Sequence, residues 1–220
     1  YVKNTMKNLH FIQGSNVIEE LEGKISPSVP AIVVSAGPSL DKNIGEIKKA
    51  KGKALIIATD TAVRYLEKEG IFYDCIVTLD PRKPVDYFTD VPDCKHKPLF
   101  CSILGKPGLL KFHEGRKIWC SSNLILPALY KKYGIELKKL SSGGSVATDA
   151  TELARRLGIQ NVILVGQDLA YGEHGTHAGG VVMATRAETR YTVEGIDGKP
   201  IETRNDWLYY LHWFEEQAKI

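Results

Sequence analysis

No apolar run in this 220-residue chain approaches the roughly 20 residues that a membrane-crossing helix needs. The N-terminus also lacks the continuous apolar stretch of a secretory signal. A membrane partner is therefore not expected, and the expected compartment is the cytoplasm. Charge of one sign is missing too. Lys and Arg number 29 against 26 Asp and Glu, a net charge of +3. That balance excludes the polyelectrolyte case for nucleic acid, and Lys48, Lys49, Lys131 and Lys132 read as solvated helix ends and turns. Only 4 cysteines occur (Cys75, Cys94, Cys101 and Cys120), with no C-x-x-C pair. Three of them lie in apolar runs, which fits reduced core thiols rather than a disulfide framework. No solenoid repeat or low-complexity stretch appears.

What is present is an ordinary globular composition, 43% hydrophobic, with a strand–helix rhythm. Residues 1–24 read as a polar, irregular lead-in with a helix around Asn16 to Glu22. Residues 25–220 read as one Rossmann-type domain. The chain starts at Tyr1 and stops inside an apparent helix, so an excised part of a longer protein is expected. Short β-rich runs at Ala31–Val34, Ala54–Ala58, Cys75–Leu79, Leu99–Cys101, Lys117–Cys120 and Val162–Val165 suit strands covered on both faces. The last is expected to be a core strand. Helical patterns follow Ser39 and Asp60, each placed to be an N-cap, and a third follows Ser145; Gly70 and Gly158 are placed to end two of them. A hairpin is expected around Gly195 to Gly198, then a helix presenting Trp207, Leu208, Leu211, Phe214 and Ala218 on one face. Alternating strands and helices give an α/β class: a Rossmann-like, mainly parallel sheet with helices on both faces.

Ligands of open α/β sheets sit beyond the carboxyl ends of the strands, so five loops are suspects. In Ser35-Ala36-Gly37-Pro38-Ser39, a glycine and a helix start make an anion cradle. The loop lacks both the three spaced glycines of a dinucleotide fold and the Lys of a P-loop, and it equally suits a plain strand-to-helix turn. Asp60 is either an N-cap or an acceptor for a ribose or base. Asp80 is either a ligand or metal position or a turn-forming Asp-Pro, with Arg82 as a phosphate partner or a surface residue. Ser142, Gly143, Gly144 and Ser145 offer more donors than capping needs and read as the stronger anion site. Gln167 and Asp168 lead into Tyr171, His174, Thr176 and His177. Here His177 is a general base and Tyr171 a phosphate donor, against the bland alternative of exposed loop residues. His174 and His177 lack a third soft ligand nearby, so no metal site is expected.

These segments together resemble the Maf (motility accessory factor) flagellin glycosyltransferases and the wider group with the MptE-like 6-hydroxymethylpterin diphosphokinases. The carriers are Ser35 to Leu40, Ile57-Ala58-Thr59-Asp60, Thr78-Leu79-Asp80-Pro81, Gly144-Ser145-Val146-Ala147-Thr148, Leu164 to Ala170, Thr176-His177-Ala178 and Trp213-Phe214-Glu215-Glu216. The resemblance implies a fold similar to the bacterial CMP-sialic-acid sialyltransferases, whose first loop reads G-N-G-P-S-L. Ser35 and Ala36 replace the Gly and Asn of that loop, and Asp60 stands where those enzymes carry Asn. It implies a transferase moving a nonulosonic acid from a CMP conjugate to a Ser or Thr of flagellin. The nucleotide-sugar would be substrate and no resident cofactor is implied. The Ser141 to Ser145 loop and Tyr171 would hold the departing phosphate, and His177 would be the base. Two alternatives remain: a pterin diphosphokinase using ATP and Mg²⁺ with Asp80, Asp168 or both as ligands, and a non-catalytic nucleotide- or sugar-binding module.

Overall fold

Strands of the sequence alternate their side chains between two apolar cores, and that alternation fixes the architecture. The structure is a computed structural model describing residues 1–12, 16–121, 127–172, 177–180 and 189–219. Among the described residues seven strands form one sheet: β1 (Asn16–Val17), β2 (Ala31–Val34), β3 (Leu55–Thr59), β4 (Cys75–Thr78), β5 (Leu99–Cys101), β6 (Lys117–Trp119) and β7 (Val162–Val165). All pairings are parallel, in the order β1-β6-β5-β4-β3-β2-β7. Ile32, Val34, Ile56, Ala58, Ile76, Leu99 and Trp119 point to one side, with Leu40 and Ile47 of helix α2 (Leu40–Lys49) and Val63 and Leu66 of α3 (Asp60–Lys68). Ala31, Val33, Ile57, Val77, Phe100 and Ile118 point to the other, against Ala150, Leu153 and Ala154 of α7 (Val146–Arg156). The intervening helices are α1 (Val2–Ile12), α4 (Asp86–Thr89), α5 (Pro107–Phe112) and α6 (Pro127–Lys132). A hairpin, β8 (Arg190–Glu194) with β9 (Pro200–Arg204), leads into α8 (Asn205–Gln217). All four cysteines are free and buried. Among the described residues no helix is long and apolar enough to cross a membrane.

Two local expectations are corrected. Residues 1–24 are not an irregular lead-in: α1 runs over Val2–Ile12, and β1 closes the edge beside β6. Thr5, Asn8, Ile12 and Ile18 are fully buried, and the Asn8 amide donates to the carbonyls of Ile103 and Gly105, both at 2.8 Å. The segment looks polar because it is bound by side-chain amides as well as by apolar contact. The second concerns β7, which is an edge strand with Ile163 50% and Leu164 37% exposed. An all-apolar run signals a strand, but not whether both of its edges are paired.

The chain order reverses at β2, which lies between β3 and β7. That switch point opens a crevice at the carboxyl ends of the strands. Asn8→Ala leaves two buried carbonyls without their donor and is expected to cost about 2 kcal/mol, read from urea unfolding. An unchanged midpoint would mean that α1 is only loosely attached.

Candidate functional site

At this rim lies a cleft of about 490 Å³, lined from six directions by the loops after β2, β3, β4, β5 and β7 and by the start of α7, with α8 closing one side. Ser35, Gly37, Asp60, Asp80, Ser142, Gly144, Ser145, Gln167, Asp168 and His177 all line it, so most of the residues expected from sequence do converge. His174 and Thr176 lie outside the described residues.

The β2 loop is not an open anion cradle. Asp168 accepts from the Ser39 amide at 3.1 Å and from the Ser39 hydroxyl at 2.9 Å. The next amides fold back on the loop itself: Gly37 donates to Gly166, Leu40 to Gly37 and Asp41 to Pro38. Ser39 therefore precedes α2 without capping it through its own oxygen, and its hydroxyl turns to Asp168. Gly37 is glycine because a Cβ there would collide with the Asp168 carboxylate and the Gly166 carbonyl. This glycine serves loop-to-loop contact rather than ligand approach. Leu169, on the same β7 loop, holds φ of 53°, the one positive-φ non-glycine among the described residues. A left-handed leucine costs about 1–3 kcal/mol, stored at the wall of the cleft.

The loop before α7 is also partly closed. Thr148 Oγ1 accepts from the amides of Gly143 and Ser145, and the Ser142 hydroxyl accepts from Gly144. The Ser145 hydroxyl completes a capping box by accepting from the Thr148 amide. Gly143 faces away from the cleft, where any Cβ would strike the Trp213 ring of α8. The surplus of donors expected from the two glycines is thus absorbed internally. The first turn of α7 stays open, for the Val146 and Ala147 amides have no acceptor among the described residues.

Asp60 is neither an N-cap nor an open ligand acceptor. It is 1% exposed, pairs with Lys83 Nζ at 3.0 Å, and accepts from the Thr78 and Thr61 hydroxyls. Asp80 makes the turn, accepting from the Arg82 amide at 2.8 Å. Tyr171 does not line the cleft. Its ring lies 4.8 Å from that of Trp207 and beneath the Arg190 guanidinium, so the expected phosphate donor is a packing residue. His177 is half-buried and held below its usual range by desolvation, then by the charges of Lys83 and Arg204. A neutral imidazole accepts a proton at neutral pH.

Residues that sequence reasoning missed also meet here. Lys83 and Tyr210 line the cleft, as does Trp207, which the sequence offered only as part of an apolar helix face. Asp149 is 4% exposed in the first turn of α7, and burial pushes its carboxyl up to about 7, against a lowering contribution from the Ser142 hydroxyl. Two buried polar atoms of the cleft's wall residues, Ser35 Oγ and Asp149 Oδ1, have no hydrogen-bond partner among the described residues. Such atoms cost free energy unless something else meets them.

Comparison with known proteins follows the same lines. The model of the family described as 6-hydroxymethylpterin diphosphokinase MptE-like matches residues 3–174. The Maf glycosyltransferase from Magnetospirillum magneticum AMB-1 superimposes with a TM-score of 0.68 at 23% identity, over 86% of this chain and 29% of that one. At that identity the likeness is one of fold. Two uncharacterized proteins of Treponema pallidum (strain Nichols) align at 48% identity over 68 residues and 29% over 82. These stretches are 31% and 37% of this chain, and the chain spans only 16% and 38% of those relatives' lengths.

Two outcomes test the site. Lys83→Ala strands a buried carboxylate and is expected to cost about 3–5 kcal/mol in chemical unfolding, much of it recovered when combined with Asp60→Asn. Because the folded-state pKa of Asp149 lies above its ordinary value, its contribution to stability is present below pH 3.8 and lost as pH rises through about 7. Asp149→Asn should therefore unfold at higher urea than the parent at pH 8 and at the same urea near pH 3.5. Parallel pH profiles would refute this.

Proposed function

This chain belongs to the MptE-like family, and we propose that its cleft binds a phosphorylated, nucleotide-linked ligand for a group transfer. The finer reading is a glycosyltransferase domain that moves a nonulosonic acid from a CMP conjugate to a flagellin Ser or Thr. One observation carries it: the unclaimed Val146 and Ala147 amides open on the same cleft as the partnerless Ser35 hydroxyl and the neutral His177. Paired amides at a helix start suit a phosphate monoester. In that transfer the sugar–phosphate bond breaks as positive charge builds on the sugar carbon. The α7 amides hold the departing phosphate, and His177 takes the proton of the attacking hydroxyl. Uptake of that proton leaves His177 cationic, and the nearby phosphate offsets the charge.

The second reading, a pterin diphosphokinase, draws support from the family's description. It needs Mg²⁺ held by Asp80, Asp168 or both. Both oxygens of Asp168 already accept from Ser39, and Asp80 Oδ1 accepts from Arg82. Among the described residues no group of three or more His, Cys, Asp and Glu is gathered to hold a metal, so such an ion would depend on the ligand's own phosphates.

Calorimetry separates the readings. CMP should bind without divalent metal, whereas ATP binding that requires Mg²⁺, with no response to CMP, would overturn the glycosyltransferase reading. In the full-length protein, His177→Gln should lower flagellin transfer by about 10²-fold or more while CMP affinity stays within about threefold. Unchanged transfer would favour a non-catalytic binding module.

A further inference from the structure

The transfer just described leaves one buried titratable group of the cleft unused. Asp149 stands at the start of α7, beside the Val146 and Ala147 amides, with one carboxylate oxygen lacking any hydrogen-bond partner among the described residues. The groups that face it are the Ser142 hydroxyl on the preceding loop and the Cys120 thiol beyond β6. Glu152 follows one turn along its own helix. Elsewhere on the cleft stand His177 and three cations, each with a carboxylate of its own: Lys83 with Asp60, Arg82 with Asp80 and Arg204 with Asp206. Asp168 is held by Ser39.

An ionised carboxylate is a poor neighbour for a phosphate, since two anions in a dry pocket repel and neither donates a hydrogen bond. A neutral carboxylic acid is a good one, because its O–H donates to a phosphate oxygen. Resting on the reading above, we propose that Asp149 is the proton-donating acid of the phosphate site. Occupation of the cleft takes one proton from solvent onto the carboxylate, and the new O–H bonds the ligand's phosphate beside the two α7 amides. Apart from this proton transfer no bond forms or breaks; the solvent supplies the proton and regains it on release. Burial already holds the group near neutrality, so little is asked of the ligand to complete protonation. By linkage, the same proton makes affinity fall as pH rises above 7. The site is thereby selective for anions that accept hydrogen bonds, and against ligands presenting only donors at this point.

The test is calorimetry of CMP binding at pH 7.5 in buffers of differing ionisation enthalpy, on the whole chain and on Asp149→Asn. The amide mimics the neutral acid and cannot take up a proton. Titration of His177 and of CMP itself is common to both proteins and cancels in the difference. The parent should take up roughly half to three-quarters of a proton more than the variant, and its affinity should fall by up to about eightfold more between pH 7.5 and 8.5. Equal proton uptake with binding intact overturns the inference and leaves the phosphate-site reading standing. Loss of binding in Asp149→Asn alone, the variant being folded, marks an ionised acceptor and also overturns it. Failure of CMP to bind either protein counts against both. Should the variant not fold, the ¹³C resonance of the parent's Asp149 carboxyl decides the matter. It should move to the protonated-acid position on adding CMP, and a fixed carboxylate signal refutes the idea.

Discussion

The carboxylate of Asp168 grips the start of α2 through the Ser39 amide and hydroxyl, across 129 residues of sequence. That clamp joins the loops after β2 and β7 where they flank the switch point. It closes the helix start that a glycine-rich loop would advertise for an anion, and it explains why Gly37 admits no side chain. With α2 sealed, the Val146 and Ala147 amides of α7 are among the amides left open at the rim, and the wall of the cleft is set by what surrounds them. The buried Asp60–Lys83 pair works the same way on the far side. It fixes Lys83 close enough for its charge to help keep His177 neutral.

Much of the fold was legible because its causes are local. Ala31–Val34, Leu99–Cys101 and Val162–Val165 read as strands from apolar runs and begin and end where expected. The helix after Ser145 declares itself through its stripe of Ala150, Leu153 and Ala154. The hairpin around Gly198 follows from turn chemistry. Less visible were elements whose reason is tertiary. Helix α1 looks polar because Asn8 and Thr5 are buried in the company of backbone carbonyls and apolar neighbours. The edge position of β7 depends on strand order, which an apolar run does not encode.

The site was legible as a place and much less so as a set of roles. Counting glycines and hydroxyls before α7 predicted donors in excess, yet Thr148 and Ser142 absorb three amides. Nothing in the local pattern says which way a threonine hydroxyl turns. Asp60 and Asp168 were visible as carboxylates at strand ends, but their partners Lys83 and Ser39 lie on other loops. Asp149 was hidden in the polar face of an amphipathic helix. Its burial comes from α7 lying against the sheet, and only coordinates expose the lone oxygen.

The central claim is that the first turn of α7, not the glycine-rich loops before α2 and α7, meets the ligand's phosphate. Backbone amide resonances followed while CMP is added test it directly. The account predicts the largest movements at Val146 and Ala147, with Gly37, Ser39 and Gly143 nearly still. Large movements at Ser39 and Gly143 with Val146 and Ala147 unmoved would contradict it.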